Sequence, residues 1–271
     1  SHELGNGRDA QETKAWRDRI QQLREDYPLE IPHPEGTLSP QEVIVELAHQ
    51  APQAYYTTDV GQHQMWSAQF LKNGPRRWIS SGGLGTMGYG VPAAVGAKVA
   101  LPKEQVICIS GDGSFQMNMQ ELGTIAQYGV GVKIVILKNG WLGMVRQWQH
   151  LFYGDRYEAT NLEIGTPDFA KLAELYGIKG MKVWQREGKE GMGLQDAIAQ
   201  MLAHNGPVIL EVLVTRNEDC FPMIAPGHSN SDMLGLHQNE NHKSDLISCL
   251  NCATPNPATH KCCCECGSKL S

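Results

Sequence analysis

Ile109-Ser110-Gly111-Asp112-Gly113-Ser114-Phe115 closes the apolar run Val106–Ser110 and stands just ahead of a segment with helical spacing. A buried strand that ends at Gly111 and gives way to a helix is the joint of a parallel α/β sheet, whose ligands bind at the carboxyl ends of strands. Glycines on both sides of Asp112 let the backbone approach a phosphate closely. The helix start offers unpaired N–H groups to an anion, and Asp112 adds a hard carboxylate suited to Mg2+. Gly-Asp-Gly alone is equally a plain turn. Asn139 follows Asp112 by 27 residues, in Leu137-Lys138-Asn139-Gly140-Trp141, at the end of the next apolar run. Two neighbouring parallel strands would bring Asp112 and Asn139 to one edge of the sheet. A carboxylate, an amide oxygen and a nearby backbone carbonyl then make half of an octahedral Mg2+ shell, which a diphosphate and a water complete.

Outward from this joint, strand-like and helix-like segments alternate. Residues 55–60 (YYTTDV), 106–110 (VICIS), 132–137 (VKIVIL) and 207–214 (PVILEVLV) read as strands. Residues 91–100, 117–129 and 194–204 read as helices, and Thr166-Pro167 opens another over DFAKLAELYG. Gly129 suits the left-handed position that ends a helix. Ser39-Pro40-Gln41-Glu42 supplies an N-cap, a proline at the first helical position and a glutamate three residues on, the signature of a capped helix start. Short continuous β-branched runs between helices predict an α/β fold: a parallel sheet with helices on both faces. Four segments are expected: a short amphipathic helix and linker over 1–38, the ligand-binding domain over 39–216, a polar tail and linker over 217–246, and a cysteine-rich module over 247–271. A polar opening tail followed by a short helix reads as the end of a preceding domain.

Composition narrows the classes. The 271 residues include 23 Lys plus Arg against 29 Asp plus Glu, a formal charge of −6, with a pI near 5.9. That balance argues against nucleic-acid binding through a basic surface. No apolar run approaches the ~18 residues of a membrane helix, and the N-terminal residues have no apolar signal core. The expectation is a protein of the cytoplasm, with plastid stroma also compatible, and no membrane partner.

Gly-Asp-Gly-Ser with an asparagine 27 residues later resembles the thiamine-diphosphate motif. Two longer strings, Ser81-Gly82-Gly83-Leu84-Gly85-Thr86-Met87-Gly88-Tyr89-Gly90 and Gly143-Met144-Val145-Arg146-Gln147-Trp148-Gln149, resemble the catalytic subunit of the acetolactate synthase (acetohydroxyacid synthase) family from about residue 39 to 225. The resemblance implies a thiamine-diphosphate-binding fold in which Asp112, Asn139 and the backbone oxygen of Trp141 hold Mg2+. It implies that Gly61, Gln62 and His63 contact the diphosphate, with Gly113 and Ser114 opposite, and that Val60 is also cofactor-binding. By the same likeness Met87 wedges the cofactor into a bent conformation, the backbone of Gly85 and Met87 meets the aminopyrimidine, and Met144 and Trp148 line the substrate site. Taken singly, Met87 and Met144 suit core packing, His63 a satisfied surface histidine, and Trp148 ordinary packing. One departure stands out: Lys138 replaces the asparagine that often precedes the ligand asparagine.

The activity implied is a transferase of branched-chain amino acid biosynthesis. It decarboxylates pyruvate and condenses it with a second 2-keto acid, pyruvate or 2-ketobutyrate, to give 2-acetolactate or 2-aceto-2-hydroxybutyrate. The family also implies FAD bound mainly by a middle domain and a homodimer or tetramer formed through an N-terminal domain that supplies a glutamate across the interface. A regulatory subunit is a further partner. Without that N-terminal domain little carboligase activity is expected. The alternatives are another thiamine-diphosphate 2-keto acid enzyme (oxidase, decarboxylase or glyoxylate carboligase) and a non-catalytic scaffold.

Six of the eight cysteines lie between Cys249 and Cys266, a pattern that cannot staple the large domain. Cys249 with Cys252, and Cys263 with Cys266, form two Cys-x2-Cys knuckles able to close a tetrahedral Zn2+ shell, with Cys262, Cys264 and His260 as competing ligands. So small a module has too little core to fold without metal. The string is similar to zinc-ribbon modules, and four thiolates leave no open catalytic position.

Overall fold

In the computed structural model, residues 13–72, 74–189 and 191–235 are described, together with the backbone of residues 246–248 and 255–257. The helices are α1 (Lys14–Asp26), α2 (Pro40–Gln50), α3 (Gln62–Phe70), α4 (Gly90–Ala100), α5 (Asp112–Met117), α6 (Glu121–Tyr128), α7 (Gly143–Phe152), α8 (Phe169–Leu175) and α9 (Leu194–Ala203). The strands are β1 (Tyr55–Thr58), β2 (Trp78–Ser80), β3 (Val106–Gly111), β4 (Lys133–Lys138), β5 (Lys179–Val183), β6 (Val208–Leu213), β7 (Met223–Ile224), β8 (Met233–Leu234), β9 (Leu246–Ser248) and β10 (Pro255–Pro257). They fall into two units, Ile31–Cys220 and Ser1–Glu30 with Phe221–Ser271.

In the larger unit six strands form one sheet in the order β2-β1-β3-β4-β6-β5, and every pairing is parallel. Successive residues of each central strand enter opposite cores. Ile107, Ile109, Val135, Leu137, Leu210 and Val212 pack with Val43, Ile44 and Leu47 of α2 and Ile198 and Met201 of α9. On the other face Val106, Cys108, Ile134, Ile136 and Ile209 pack with Val91 of α4, Leu122 and Ile125 of α6 and Phe169 of α8. A strand buried on both faces has no polar side, which is why these runs are continuously apolar. Each fully buried Leu, Ile or Val contributes about 1.5–3 kcal/mol.

The expected capping box at Ser39 is present: Glu42 N donates to Ser39 Oγ at 3.2 Å, and Ser39 N donates to Glu42 Oε2 at 2.9 Å. Gly129 ends α6 in the left-handed conformation. Other boundaries move. The helix expected over 117–129 is two helices, and the first begins at Asp112 itself. At Asn118 the chain leaves the helix, and the Asn118 side-chain amide donates to Gly88 O at 2.8 Å. The start expected at Thr166-Pro167 falls at Asp168, whose carboxylate accepts from Lys171 N. Strand β1 stops at Thr58, which leaves Asp59 and Val60 in the loop beyond it.

The larger unit takes in residues that the sequence reading set in the flanking segments. Leu38 is fully buried and bridges to Val214. At the other end, Glu218 Oε1 accepts from Gln41 Nε2 and the backbone of Cys220 pairs with Gln147.

In the smaller unit β7 pairs antiparallel with β8, and β9 with β10. The zinc-ribbon residues Cys249, Cys252, Cys263 and Cys266 lie outside the described residues. No helix among the described residues is long and apolar enough to cross a membrane.

Candidate cofactor site at the carboxyl ends of three strands

Strands β1, β3 and β4 are neighbours in the sheet, and each ends at the same edge in a short loop that opens a helix. The loop after β1 leads through Val60 and Gly61 into α3. Strand β3 runs straight into α5, and the loop after β4 leads through Asn139 and Trp141 into α7. The three loops enclose a cavity of about 260 Å3. Val60, Gly61, Gln62 and His63 line it from the first loop, Asp112, Gly113 and Ser114 from the second, and Asn139, Trp141 and Met144 from the third, with Met87 at its rim.

Asp112 is 1% exposed. Its Oδ1 accepts from Gly113 N at 3.0 Å and its Oδ2 from Gly140 N at 2.7 Å. Burial nevertheless pushes the carboxyl up to about 6, against those two bonds and the nearby Lys138 charge. A buried carboxylate with so little compensation is the environment in which a cation restores the ionised form. Asn139 Oδ1 accepts from Trp141 N at 3.0 Å, which fixes the amide at the end of β4 and keeps a lone pair on that oxygen. The 160–162 segment pins the loop: Leu142 N donates to Thr160 O and Leu162 N to Gly140 O, each at 2.9 Å. A Cβ on Gly113 would lie 2.6 Å from Leu142 Cδ2, so a side chain there would displace Leu142 at the cavity wall. Ser114 Oγ donates to Val60 O at 3.2 Å and so joins the first two loops.

His63 is 5% exposed and its Nε2 has no hydrogen-bond partner. Burial lowers its pKa, opposed by Asp59, whose Oδ2 is 3.7 Å from Nε2. The ring is therefore neutral at pH 7. Gln62 also carries an unpartnered buried oxygen, Oε1. Gln62 and His63, each with an unpartnered buried polar atom, line the cavity beside the buried Asp112 carboxylate, a lining that fits a polar, metal-bound ligand.

Gly85 does not line the cavity. A Cβ on it would lie 3.6 Å from Val60 Cγ2, and Val60 N donates to Thr86 O, so the 85–87 segment runs alongside the first loop. Trp148 faces a second cavity with Tyr153 and Arg156, and Met144 and Val145 line both. Its ring meets Phe152 edge-on at 5.8 Å. Lys138, the departure in sequence, points away from the site: its Nζ donates to Pro167 O at 2.8 Å and to the fully buried Glu211 at 3.0 Å.

Two contributors were not singled out from sequence. Asp59 is fully buried, accepts from Gly90 N at 2.6 Å and from Ser110 Oγ, and so ties β1 to α4 and β3. An aspartate between a strand run and Val60-Gly61 was the available signal. Gln147, inside α7, is fully buried and reaches Gln62, and nothing in the local sequence marks it. Among the described residues no group of three His, Cys, Asp or Glu side chains gathers on one metal position. The cavity instead brings together the Asp112 carboxylate and the Asn139 amide.

Residues 59–212 match the family described as thiamine pyrophosphate enzyme, C-terminal TPP binding domain. The chain is 68% identical over 217 residues to an acetolactate synthase of Arthrospira platensis, covering 80% of this chain and 37% of that protein. It is 49% identical over 259 residues to an acetolactate synthase large subunit of Parasynechococcus marenigrum (strain WH8102), covering 95% and 41%. Against acetolactate synthase isozyme 2 large subunit of Escherichia coli (strain K12) it is 45% identical over 221 residues, covering 81% and 39%. The chain thus spans about two fifths of the length of these relatives.

Proposed function

This chain belongs to the thiamine pyrophosphate enzymes, whose C-terminal TPP binding domain it carries, and from that premise we propose that it is the cofactor-holding part of an acetolactate synthase large subunit. The observation that carries the reading is the meeting of Asp112, Asn139 and the Gly61–His63 loop on one cavity, which shares Met144 and Val145 with the cavity of Trp148.

In this reading Asp112 Oδ, Asn139 Oδ1 and the carbonyl of Trp141 hold Mg2+, which suits hard oxygen ligands. Gly61, Gln62 and His63 face the diphosphate on one side and Gly113 and Ser114 on the other, while Met87 borders the aminopyrimidine and Gly85, outside the cavity lining, supports the 85–87 segment behind it. When bound, thiamine diphosphate supplies the carbanion chemistry by which one 2-keto acid loses carbon dioxide and joins a second. The chain's own residues bind, orient and exclude water. Met144 bridges the cofactor cavity and the cavity of Trp148, so these two side chains border the pyruvate or 2-ketobutyrate that accepts the two-carbon unit.

Activity belongs to the whole protein. FAD, a homodimeric or tetrameric assembly and a regulatory subunit remain proposals that rest on the family resemblance, as does placement in cytoplasm or plastid stroma. Zinc at Cys249, Cys252, Cys263 and Cys266 is likewise proposed.

Calorimetric titration of thiamine diphosphate in the presence of Mg2+, and again with Mg2+ chelated, tests the site. Heat only with Mg2+ is expected. Product analysis from pyruvate with the intact protein tests the activity: 2-acetolactate supports it, and acetaldehyde or acetate in its place overturns it.

A further inference from the structure

We propose that Gln147, buried in α7 and outside the cofactor cavity, is a positioning residue that fixes the polarity of the Gln62 side-chain amide at the cavity wall. The inference rests on the cofactor-site reading above. It begins at a backbone group whose direction is not adjustable. Cys220 N donates to Gln147 Oε1 at 2.8 Å, and Gln147 Nε2 donates to Cys220 O at 3.0 Å. An amide flip of Gln147 would set N–H against N–H and oxygen against oxygen, so its orientation follows from the main chain.

Gln147 Oε1 is therefore the atom turned toward Gln62, and an oxygen there can only accept. Gln62 answers with its Nε2, which donates to Gln147 Oε1 at 2.8 Å and to Glu218 O at 2.9 Å. With the nitrogen held by two acceptors, Gln62 must present Oε1 at the other side. That oxygen is buried and has no partner. It is directed at Gly143, where a Cβ would come within 2.1 Å of it, and Gln62 and Gly143 both line the cavity. Phosphate oxygens accept but do not donate, so the group that complements Gln62 Oε1 is a donor, such as a water carried by the cation. Gln147 touches neither; it acts through Gln62.

The test is a double-mutant cycle in the intact protein that carries this chain, read as the Kd for thiamine diphosphate with Mg2+ and as Tm. Gln147→Met keeps the volume and removes every hydrogen bond. Loss of one oriented hydrogen bond weakens binding about 3- to 10-fold. Gln62→Met weakens binding similarly, and the double variant binds no worse than Gln62→Met alone, although its Tm falls further. Gln147→Glu keeps acceptors for Gln62 Nε2 and Cys220 N but sets an oxygen against Cys220 O, so its affinity stays within about twofold of wild type while its Tm falls. Should Gln147→Met fail to fold, Gln147→Glu supplies the answer, since a large loss of affinity despite both retained acceptors would mean that Gln147 does not act through the Gln62 amide. Additive losses in the cycle, wild-type affinity in Gln147→Met, or binding by Gln147→Glu more than about tenfold weaker than wild type overturn the proposal. A wild-type protein that does not bind thiamine diphosphate overturns the cofactor-site reading as well.

Discussion

Asp112 sets the pH behaviour of the site. Its carboxyl lies near 6 in the folded chain against an ordinary 3.8 because burial outweighs the Gly113 and Gly140 N–H bonds. A raised carboxyl means that folding favours the protonated form. The stability this group contributes is full below about pH 4 and is lost as pH rises through about 6, a loss of about 3 kcal/mol. In chelator-treated protein a thermal-unfolding series should show this fall between pH 4 and 7, and Asp112→Asn should flatten it. Mg2+ needs the carboxylate. Its affinity should therefore drop about tenfold per unit as pH falls below 6, measurable by titration calorimetry at pH 5, 6 and 7. Equal Mg2+-dependent binding at pH 5 and 7 would remove Asp112 from the ligand set.

Elements are held to the sheet by charges as well as by apolar contact, and Glu211 of β6 is the clearest case. Its Oε2 accepts from Phe169 N at 2.7 Å and Ala170 N at 3.2 Å, at the start of α8, where helix N–H groups have no partners of their own. Its Oε1 pairs with Lys138 of β4 at 3.0 Å and Lys182 of β5 at 3.3 Å. Lys138, the unusual residue beside Asn139, is thus answered by a buried carboxylate on the neighbouring strand β6. Glu211→Ala should cost about 3–5 kcal/mol, the range for stripping one partner from a buried pair, and adding Lys138→Met should recover part of it. Urea midpoints check both, and a loss under 1 kcal/mol would mean the pairs contribute little. The same scale explains what was legible beforehand. Strands β3, β4 and β6 announce themselves as unbroken apolar runs. Strand β5 does not, since only Met181 and Val183 of Lys179–Val183 are buried at the sheet edge, and β2 has three half-buried residues. Helices α3 and α7 hide for a different reason: they bury Gln62, His63, Arg146 and Gln147, and buried polar groups that serve a site break apolar periodicity. Asp112 and Asn139 could be paired from spacing alone because one strand crossover separates them. Asp59 and Gln147 could not, since Gly90, Ser110 and Cys220 lie 31, 51 and 73 residues away.

At the scale of the larger unit, the strand order decides where ligand energy goes. With β1, β3 and β4 adjacent, one ligand in the cavity touches loops from three strands and the starts of α3, α5 and α7. Binding to the folded form alone then stabilises the unit as a whole by mass action. At a thiamine diphosphate concentration about 100 times Kd, with Mg2+ saturating, the gain is about 2.7 kcal/mol. For a unit of this size each kcal/mol moves Tm by about 2–4 °C, so the unfolding transition should rise by about 5–10 °C. Chelation of Mg2+ should return it to the starting value, because Asp112 then faces the diphosphate with like charge. Asp112→Asn should lose most of the shift while still unfolding in a single transition. A thiamine diphosphate shift that survives chelation would place the binding energy in the Gly61–His63 loop rather than in the Asp112–Asn139 metal pair, and scanning calorimetry with and without chelator distinguishes the two.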